Sequence, residues 1–544
     1  MEKRVILAFV LSFAVLYAFR ALYTPPPAAV PEPSAPAPAP PVSTTTPQAT
    51  SRTSEAPSSL PVEDVEAEKP QEFVVDTALY TATISNVGGV LKSFRLKQYT
   101  DGEGHSLELI NQEAGSKVGW PLALESGDKA VDDSMRNAQF AAQRETNRLV
   151  LQFGSNGLHV RKVVQFDAEN YQFTLETTLT KDGKEVPHSV LWQGSFGDQS
   201  IPQDPAKKNA VYQVDAAFKR VALRSLKDQP QNFTSPRGGV EDQYFLAMFL
   251  SPQDPVAIKV NKQEYPGSDG KPIATLLVSA ATSGGKPVGV YVGPKQQDWL
   301  SKADPQLGAA LDYGYFGFIA KPLVVCLLWL HSYIGNFGWS IILLTVALNL
   351  VLFPLALKQQ TSMVKMQKIQ PQMRRLQDQY KKLKTTDPRR AQVQAEMMGL
   401  YKEHGVNPMG GCLPLLLQMP LLFGFYSALA YSIELRRAPW IFWIKDLSQH
   451  DPYYVIPILM AVAMIIQQKL TPTATVDPAQ ARMMMIMPVM MTFLFLFYSS
   501  GLSLYWLTGS VVGIGRQVVI NKYWSPQAEA KLKGRSRQNE PEGG

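Results

Sequence analysis

The chain has 544 residues, enough for several domains. Its formal charge of +7 and mean hydropathy of −0.09 are averages over a polar N-terminal half and an apolar C-terminal third. The basic residues cluster beside apolar runs, which excludes nucleic-acid binding as the meaning of a pI near 9.0 and fits positive-inside membrane topology.

Lys3 and Arg4 precede an apolar run from Val5 to Phe19, closed by Arg20. Residues 1–23 are expected to form a signal anchor that spans the membrane with its N-terminus inside. A signal peptide cleaved near Ala28-Ala29 is the alternative. Residues 24–70, rich in Pro, Ala, Ser and Thr, lack the apolar side chains to offset ordering and read as an extended tether.

Residues 71–302 change character. Short β-branched or apolar runs such as Phe73-Val74-Val75 and Tyr80–Ile84 are bounded by turn residues, among them Gly88-Gly89, Asp182-Gly183 and Asp269-Gly270. Such spacing predicts a β-sandwich. His105, His159 and His188 lack ligand spacing, so no metal is expected. Over 313–335, the run Phe316–Tyr333 carries Lys321 and His331 and is expected to be an amphipathic helix at the interface.

The region 336–522 should hold five further spans, near 338–357, 412–433, 453–468, 483–499 and 503–520. Sixteen residues reach only ~24 Å against a hydrocarbon core of ~30 Å. Short helices with Pro414, Pro420, Pro457 and Pro488 therefore predict a kinked bundle that thins the bilayer. Residues 358–411 hold eleven Lys or Arg against four Asp or Glu, and the tail 523–544 regains Lys531, Lys533, Arg535 and Arg537. Six spans with both ends inside place these segments in the cytosol. The expected fold class is thus a polytopic α-helical membrane protein with an inserted, exported β-sandwich domain and a cytosolic helical hairpin over 358–408.

The hairpin is read from periodicity. Met363, Met366, Ile369, Met373, Leu376, Tyr380 and Leu383 form one helical stripe, while Val393, Met397, Leu400 and Tyr401 form a second. Asp387 and Pro388 are the expected N-cap and first helical residue between them. Arg374, Arg375, Lys381 and Lys382 give the hairpin a basic back. It is longer than a connector needs, which favours a binding role.

No phosphate loop, zinc motif, nucleophile elbow or dinucleotide fingerprint occurs, so no nucleotide or other cofactor is expected. Cys326 and Cys412, both in apolar stretches, are expected to pack rather than react. Fifteen of eighteen methionines follow residue 360 and six lie at 483–491, a surface suited to varied apolar partners or, alternatively, gap filling. Polar groups inside spans usually face a cavity or one another. Thr345 and Asn349 share a helix face, Gln418 lies in the next span, and Tyr505, Trp506 and Arg516 lie in the last. These six are the candidate substrate groove. For Thr345 and Gln418 the competing role is interhelical bonding; for Arg516 it is snorkelling to the interface.

The re-entry run Asn407-Pro408-Met409-Gly410-Gly411-Cys412-Leu413-Pro414, with Asn336-Phe337-Gly338-Trp339-Ser340, Asp451-Pro452-Tyr453-Tyr454 and Ser500-Gly501-Leu502, resembles the YidC family of membrane-protein insertases. Ser85-Asn86-Val87-Gly88-Gly89 and Tyr291-Val292-Gly293-Pro294-Lys295 resemble that family's large periplasmic β-supersandwich. The resemblance implies a bacterial inner-membrane insertase and chaperone with a hydrophilic groove open to cytosol and lipid. It implies nascent membrane proteins as substrates, and the Sec translocon, the ribosome and the signal-recognition machinery as partners. One residue departs: many bacterial members carry an arginine at the position matched by Asn349, so a fixed groove charge there is not carried over. A small-solute transporter or flippase is the alternative function, but no internal repeat supports it.

Overall fold

The computed structural model describes residues 65–524, apart from 202–206, 227–228, 252, 268–269, 283–284, 385–386, 406–412 and 472–477; the side chains of 358–364, 367–368, 413–417 and 478–484 are also left aside. The signal anchor, the tether to residue 64, the re-entry residues 407–412 with Cys412, Met363, Met483, Met484 and the tail from 525 lie outside the described residues.

Three antiparallel sheets build the N-terminal half. The first orders β1 (Glu72–Asp76), β2 (Tyr80–Ser85), β3 (Val90–Thr100) and β4 (Ser106–Glu108) in sequence. The second sheet, of five strands, orders β14 (Gln231–Ser235), β17 (Val256–Pro266), β18 (Pro272–Thr282), β11 (His188–Trp192) and β5 (Leu124–Glu125). The third holds ten strands, its centre formed by β16 (Phe245–Leu250), β19 (Val288–Pro294), β9 (Gln172–Lys181) and β8 (Leu158–Phe166). The alternating burial of β9 shows one covered face, while every residue of β16 is buried, so that strand is covered on both faces. Asp182 and Gly183, both at positive φ, form the expected two-residue turn between Lys181 and Lys184. The short helices α1 (Gln112–Val118), α2 (Lys129–Asn137) and α3 (Gln297–Ala303) complete this half.

Lys162 of β8 is fully buried, and its ammonium donates to the carbonyls of Gly88, Gly89 and Leu122 at 2.9, 3.0 and 2.9 Å. Three donors meet three acceptors, which ties the first sheet's turn to the ten-stranded sheet. Burial pushes this amine down to about 7.

The C-terminal half is helical: α4 (Gly317–Ile334), α5 (Phe337–Val351), α6 (Phe353–Lys382), α7 (Arg389–Glu403), α8 (Leu413–Tyr431), α9 (Val455–Leu470), α10 (Pro478–Phe495) and α11 (Ser500–Val519). The span expected over 338–357 is not one helix. It stops at Val351, and α6 starts at Phe353 with Pro354 in its first turn, because proline has no N–H to continue the ladder and crowds the preceding turn. Among the described residues only α4 is both long and apolar enough to cross a membrane by those criteria; α5, α9 and Met485–Phe495 are apolar but shorter.

Two further expectations need correction. α4 is not amphipathic: Ala320, Leu323, Val324 and Leu327 are buried, yet Phe318, Val325, Trp329 and Tyr333 are exposed, so apolar residues occupy both faces. Cys326 is exposed on α4 rather than packed, because it falls on the face turned away from that buried stripe.

In the hairpin, Ile369 and Met373 are buried against Met366, Met397, Leu400 and Tyr401, joining the two stripes. Arg374, Arg375, Lys381 and Lys382 are exposed on its back. Asp387 accepts the Arg389 backbone N–H at 3.0 Å. The helix starts at Arg389, one residue later than expected, with Pro388 preceding it.

Candidate functional site

The apolar helices α5, α8, α9 and α11 bury a common cluster including Ile341, Leu344, Phe425, Met460 and Tyr505. Polar groups within it are satisfied at close range, as burial requires. Thr345 is fully buried and its hydroxyl donates to Ile341 O at 2.7 Å. Asn349, half-buried one turn on, donates from Nδ2 to Thr345 O at 2.9 Å. Both bonds run within α5; neither side chain carries a charge, and Asn349 keeps its Oδ1 and a second N–H for other partners.

Between helices, exposed Gln418 of α8 donates from Nε2 to the Tyr505 hydroxyl of α11 at 3.2 Å. The Tyr505 ring stacks on Phe425 with centroids 4.1 Å apart. Thr345 faces Gly509 of α11, where an added Cβ would lie 4.0 Å from Thr345 Cγ2. The structure thus brings together Gln418 with Tyr505, and Thr345 with the α11 backbone. Trp506 packs against Phe495 instead, with centroids 5.3 Å apart.

Arg516 stands apart from these contacts. It lies half-buried in the last turn of α11, and among the described residues it makes no ion pair. Eleven residues are about three turns, so it shares Tyr505's face roughly 16 Å further along. Met485, Met487 and Met490 are exposed on α10.

The largest set of joints was missed in the sequence: the loop from Ser432 to Tyr454. Asn336 caps α5 by accepting the Trp339 N–H, and its Nδ2 donates to Pro439 O and Trp440 O at 3.3 and 3.2 Å. Gly338 lies so close to the Trp440 ring that an added Cβ would sit 2.1 Å from Cδ1. Buried Asp451 accepts Trp443 Nε1–H, Tyr453 N–H and Ile456 N–H at 3.0, 3.0 and 2.8 Å, fixing the start of α9. Gly501 N–H donates to Leu447 O at 2.9 Å and the Ser500 hydroxyl to Gln449 O at 2.7 Å, fixing the start of α11. One end of the bundle is closed by this loop. The signal that could have found it is Arg436-Arg437, two cations in a loop that the expected topology puts on the side poor in them.

Among the described residues no His, Cys, Asp and Glu cluster could hold a metal. The family described as 60Kd inner membrane protein matches residues 329–528, and the one described as YidC periplasmic domain matches residues 72–326. The membrane protein insertase YidC of Geotalea daltonii is 34% identical, covering 96% of this chain and 99% of the relative. That of Citrifermentans bemidjiense is 36% identical over the same shares, 96% and 99%. The crystal structure of YidC from Thermotoga maritima is 18% identical, covers 83% of this chain and 98% of that one, and gives a TM-score of 0.29. Matched above 30% identity over nearly the full length of both curated relatives, this chain belongs to the YidC family of membrane protein insertases.

Proposed function

We propose that the chain inserts membrane proteins through a hydrophilic groove walled by α5, α8 and α11, open to the cytosol and closed outside. The observation that carries this reading is the asymmetry of the bundle: loop 432–454 closes one end, while Asn349, Gln418 and Arg516 lie toward the other. An apolar segment gains ~0.3–0.6 kcal/mol per Leu, Ile, Phe or Val on insertion, and a charge costs ~2.5–3.5 at the centre. About twenty apolar residues therefore have a favourable endpoint, opposed by moving a polar flank across. A wet half-groove in a thinned bilayer lowers that barrier, with no nucleotide and no enzymatic step.

Contacts support a topology. Loop 432–454 touches the β domain through Arg436 and Asp198, so both lie on one side and the hairpin before α8 lies on the other. Both ends of α4 stay on the β-domain side: Asp312 pairs with Arg220 at 3.2 Å, and Asn336 bonds to Pro439 and Trp440. Despite its length, α4 then lies in the outer interface. Five crossings from α5 to α11, with the signal anchor, give six spans with both termini in the cytosol of a bacterial inner-membrane protein. The exposed basic back of the hairpin is the surface for the ribosome and the signal-recognition machinery, and the Sec translocon is the partner within the membrane.

Purified protein in liposomes tests the groove. A short single-span substrate should become protease-protected without ATP, and Asn349→Leu should slow this by drying the wall. Solute flux without insertion would overturn the reading in favour of a transporter.

A further inference from the structure

Among the described residues no large apolar side chain is more exposed than Phe442, at 84%, in loop 432–454. The turn that carries it is tight: Ile444 N–H donates to Ile441 O at 3.0 Å and Trp440 N–H to Ile444 O at 2.9 Å. Phe442 itself lies at a φ of +48°, a left-handed conformation that bulky side chains rarely adopt. Glycine would fit this turn with less strain, and in water the ring gains nothing from its place. Strain held at one exposed ring points to a contact with something other than water.

The ring stands on a fixed platform. It stacks on Trp443 with centroids 5.9 Å apart, and the Trp443 indole is held by its Nε1–H on Asp451 at 3.0 Å. Trp443 meets Tyr453 edge-on at 6.3 Å, and Trp440 meets Trp339 in the same way at 5.9 Å. Aromatic rings thus line the loop from the start of α5 to the start of α9, and Trp339, Phe442 and Tyr453 are all exposed.

Helix length and charge identify what covers them. The 15 residues of α5 and 16 of α9 reach only about 22 and 24 Å against a hydrocarbon core of ~30 Å, so the loop at their ends lies where acyl chains meet headgroups. Leu343 of α5 and Ile458 and Leu459 of α9 are exposed and continue the apolar surface away from the loop. Asp446 and Asp451, which flank the tip, accept N–H and hydroxyl groups of the loop itself or of the first turn of α9. Lys445 is exposed and makes no ion pair among the described residues. An apolar tip beside a cation, with the acids turned inward, matches acyl chains below phosphates.

We propose that the turn Ile441–Ile444 is a phospholipid-binding finger, its Phe442 ring seated among the acyl chains of the leaflet at the end of the bundle that loop 432–454 closes. The finger holds the starts of α5 and α9 at one depth in that leaflet. It stands independently of the groove reading, since it concerns the loop and not the polar walls.

The test uses the full chain in proteoliposomes of phosphatidylethanolamine and phosphatidylglycerol. Benzoylphenylalanine placed at Phe442 keeps an aromatic ring at the tip and couples, on irradiation, to C–H bonds within reach. Mass spectrometry of that peptide should show a phospholipid adduct. In a background of Cys326→Ser and Cys412→Ser, an environment-sensitive nitrobenzoxadiazole label on Phe442→Cys should emit at shorter wavelength than the same label on Lys184→Cys, which is exposed in the β domain. Lipid spin-labelled near the headgroup end of its acyl chain should quench the Phe442→Cys label at least twofold, and aqueous iodide should quench only the label on Lys184→Cys. No lipid adduct, an adduct to a second copy of the chain instead, or a Phe442→Cys label as open to iodide as the reference would overturn the finger.

Discussion

The two ends of the helical bundle are built by opposite rules. At the end closed by loop 432–454, the outer end in the proposed topology, each helix start is tied to that loop: the Asn336 side chain for α5 and that of Asp451 for α9 serve two partners or more, and the Ser500 hydroxyl for α11 donates to Gln449 O. At the inner end the described bonds are few, chiefly Gln517 to Asn521 at 2.8 Å and Asn521 to Leu470 O at 3.2 Å. The hairpin beyond packs on itself through a small apolar seam. Regions with few buried contacts open at low cost, and densely bonded ones do not. The difference teaches that, among the described residues, the side-chain joints of the bundle gather on one loop at one end.

The largest expected effect breaks the inner end. Deleting Met373 to Met397 removes the seam and most of the basic back, and should abolish insertion while the remaining helices still assemble. Normal insertion by a stably expressed deletion would make the hairpin a connector and remove function from the comparison.

A smaller, sharper test makes one substitution at each end. Gly338→Ala would drive a methyl into the Trp440 ring, and overpacking of this kind costs about 1–3 kcal/mol. Gly399 of α7 has open space around it, so Gly399→Ala should stabilise the hairpin by about 0.5–1 kcal/mol through helix propensity alone. Thermal unfolding of the two variants reads both signs. Equal effects would mean that the outer end is no more tightly built than the inner.

The β domain adds a pH dependence. The Lys162 amine titrates near 7 when folded and at its usual 10.5 when unfolded. Above pH 7 the folded chain has released a proton that the unfolded chain still holds, so stability rises with pH, by about 1 kcal/mol between pH 7 and 8. Lys162→Met should lower stability, since three carbonyls lose their donor, and should flatten that slope. Unchanged slopes would show that the amine stays charged when folded.

What the sequence made legible follows from the same contrast. Several of the motifs that carried the resemblance, within the described residues, sit at joints where geometry dictates the residue. Gly338 admits the Trp440 ring, Asp451 gathers three N–H groups, and Gly88-Gly89 offers its carbonyls to Lys162. Periodicity found the hairpin because one apolar stripe must meet another. The groove was harder to read, since Thr345 and Asn349 look like partners for other helices yet bond within α5. Nothing local announces that Arg436 pairs with a residue 238 positions earlier. The break at Leu352 was passed over because apolarity continues across Pro354 while the helix does not.

The smallest expected effect concerns charge at the inner end, where this chain has Asn349 on α5 and Arg516 within α11. Arg516 shares the Tyr505 face of α11 and has no ion pair among the described residues, so its field is not cancelled locally. Its guanidinium remains protonated even where water is scarce. At roughly 10 Å and an effective dielectric of about 40–80, a single charge attracts an acidic flank by about 0.4–0.8 kcal/mol, roughly two- to fourfold in rate. Arg516→Gln should therefore slow substrates with acidic flanks by that factor and leave neutral ones unchanged. Asn349→Arg in the same background should restore them, because the charge returns to the facing wall. An unselective loss would point to packing, and no loss at all would make Arg516 a snorkelling anchor, with hydration alone sustaining the groove.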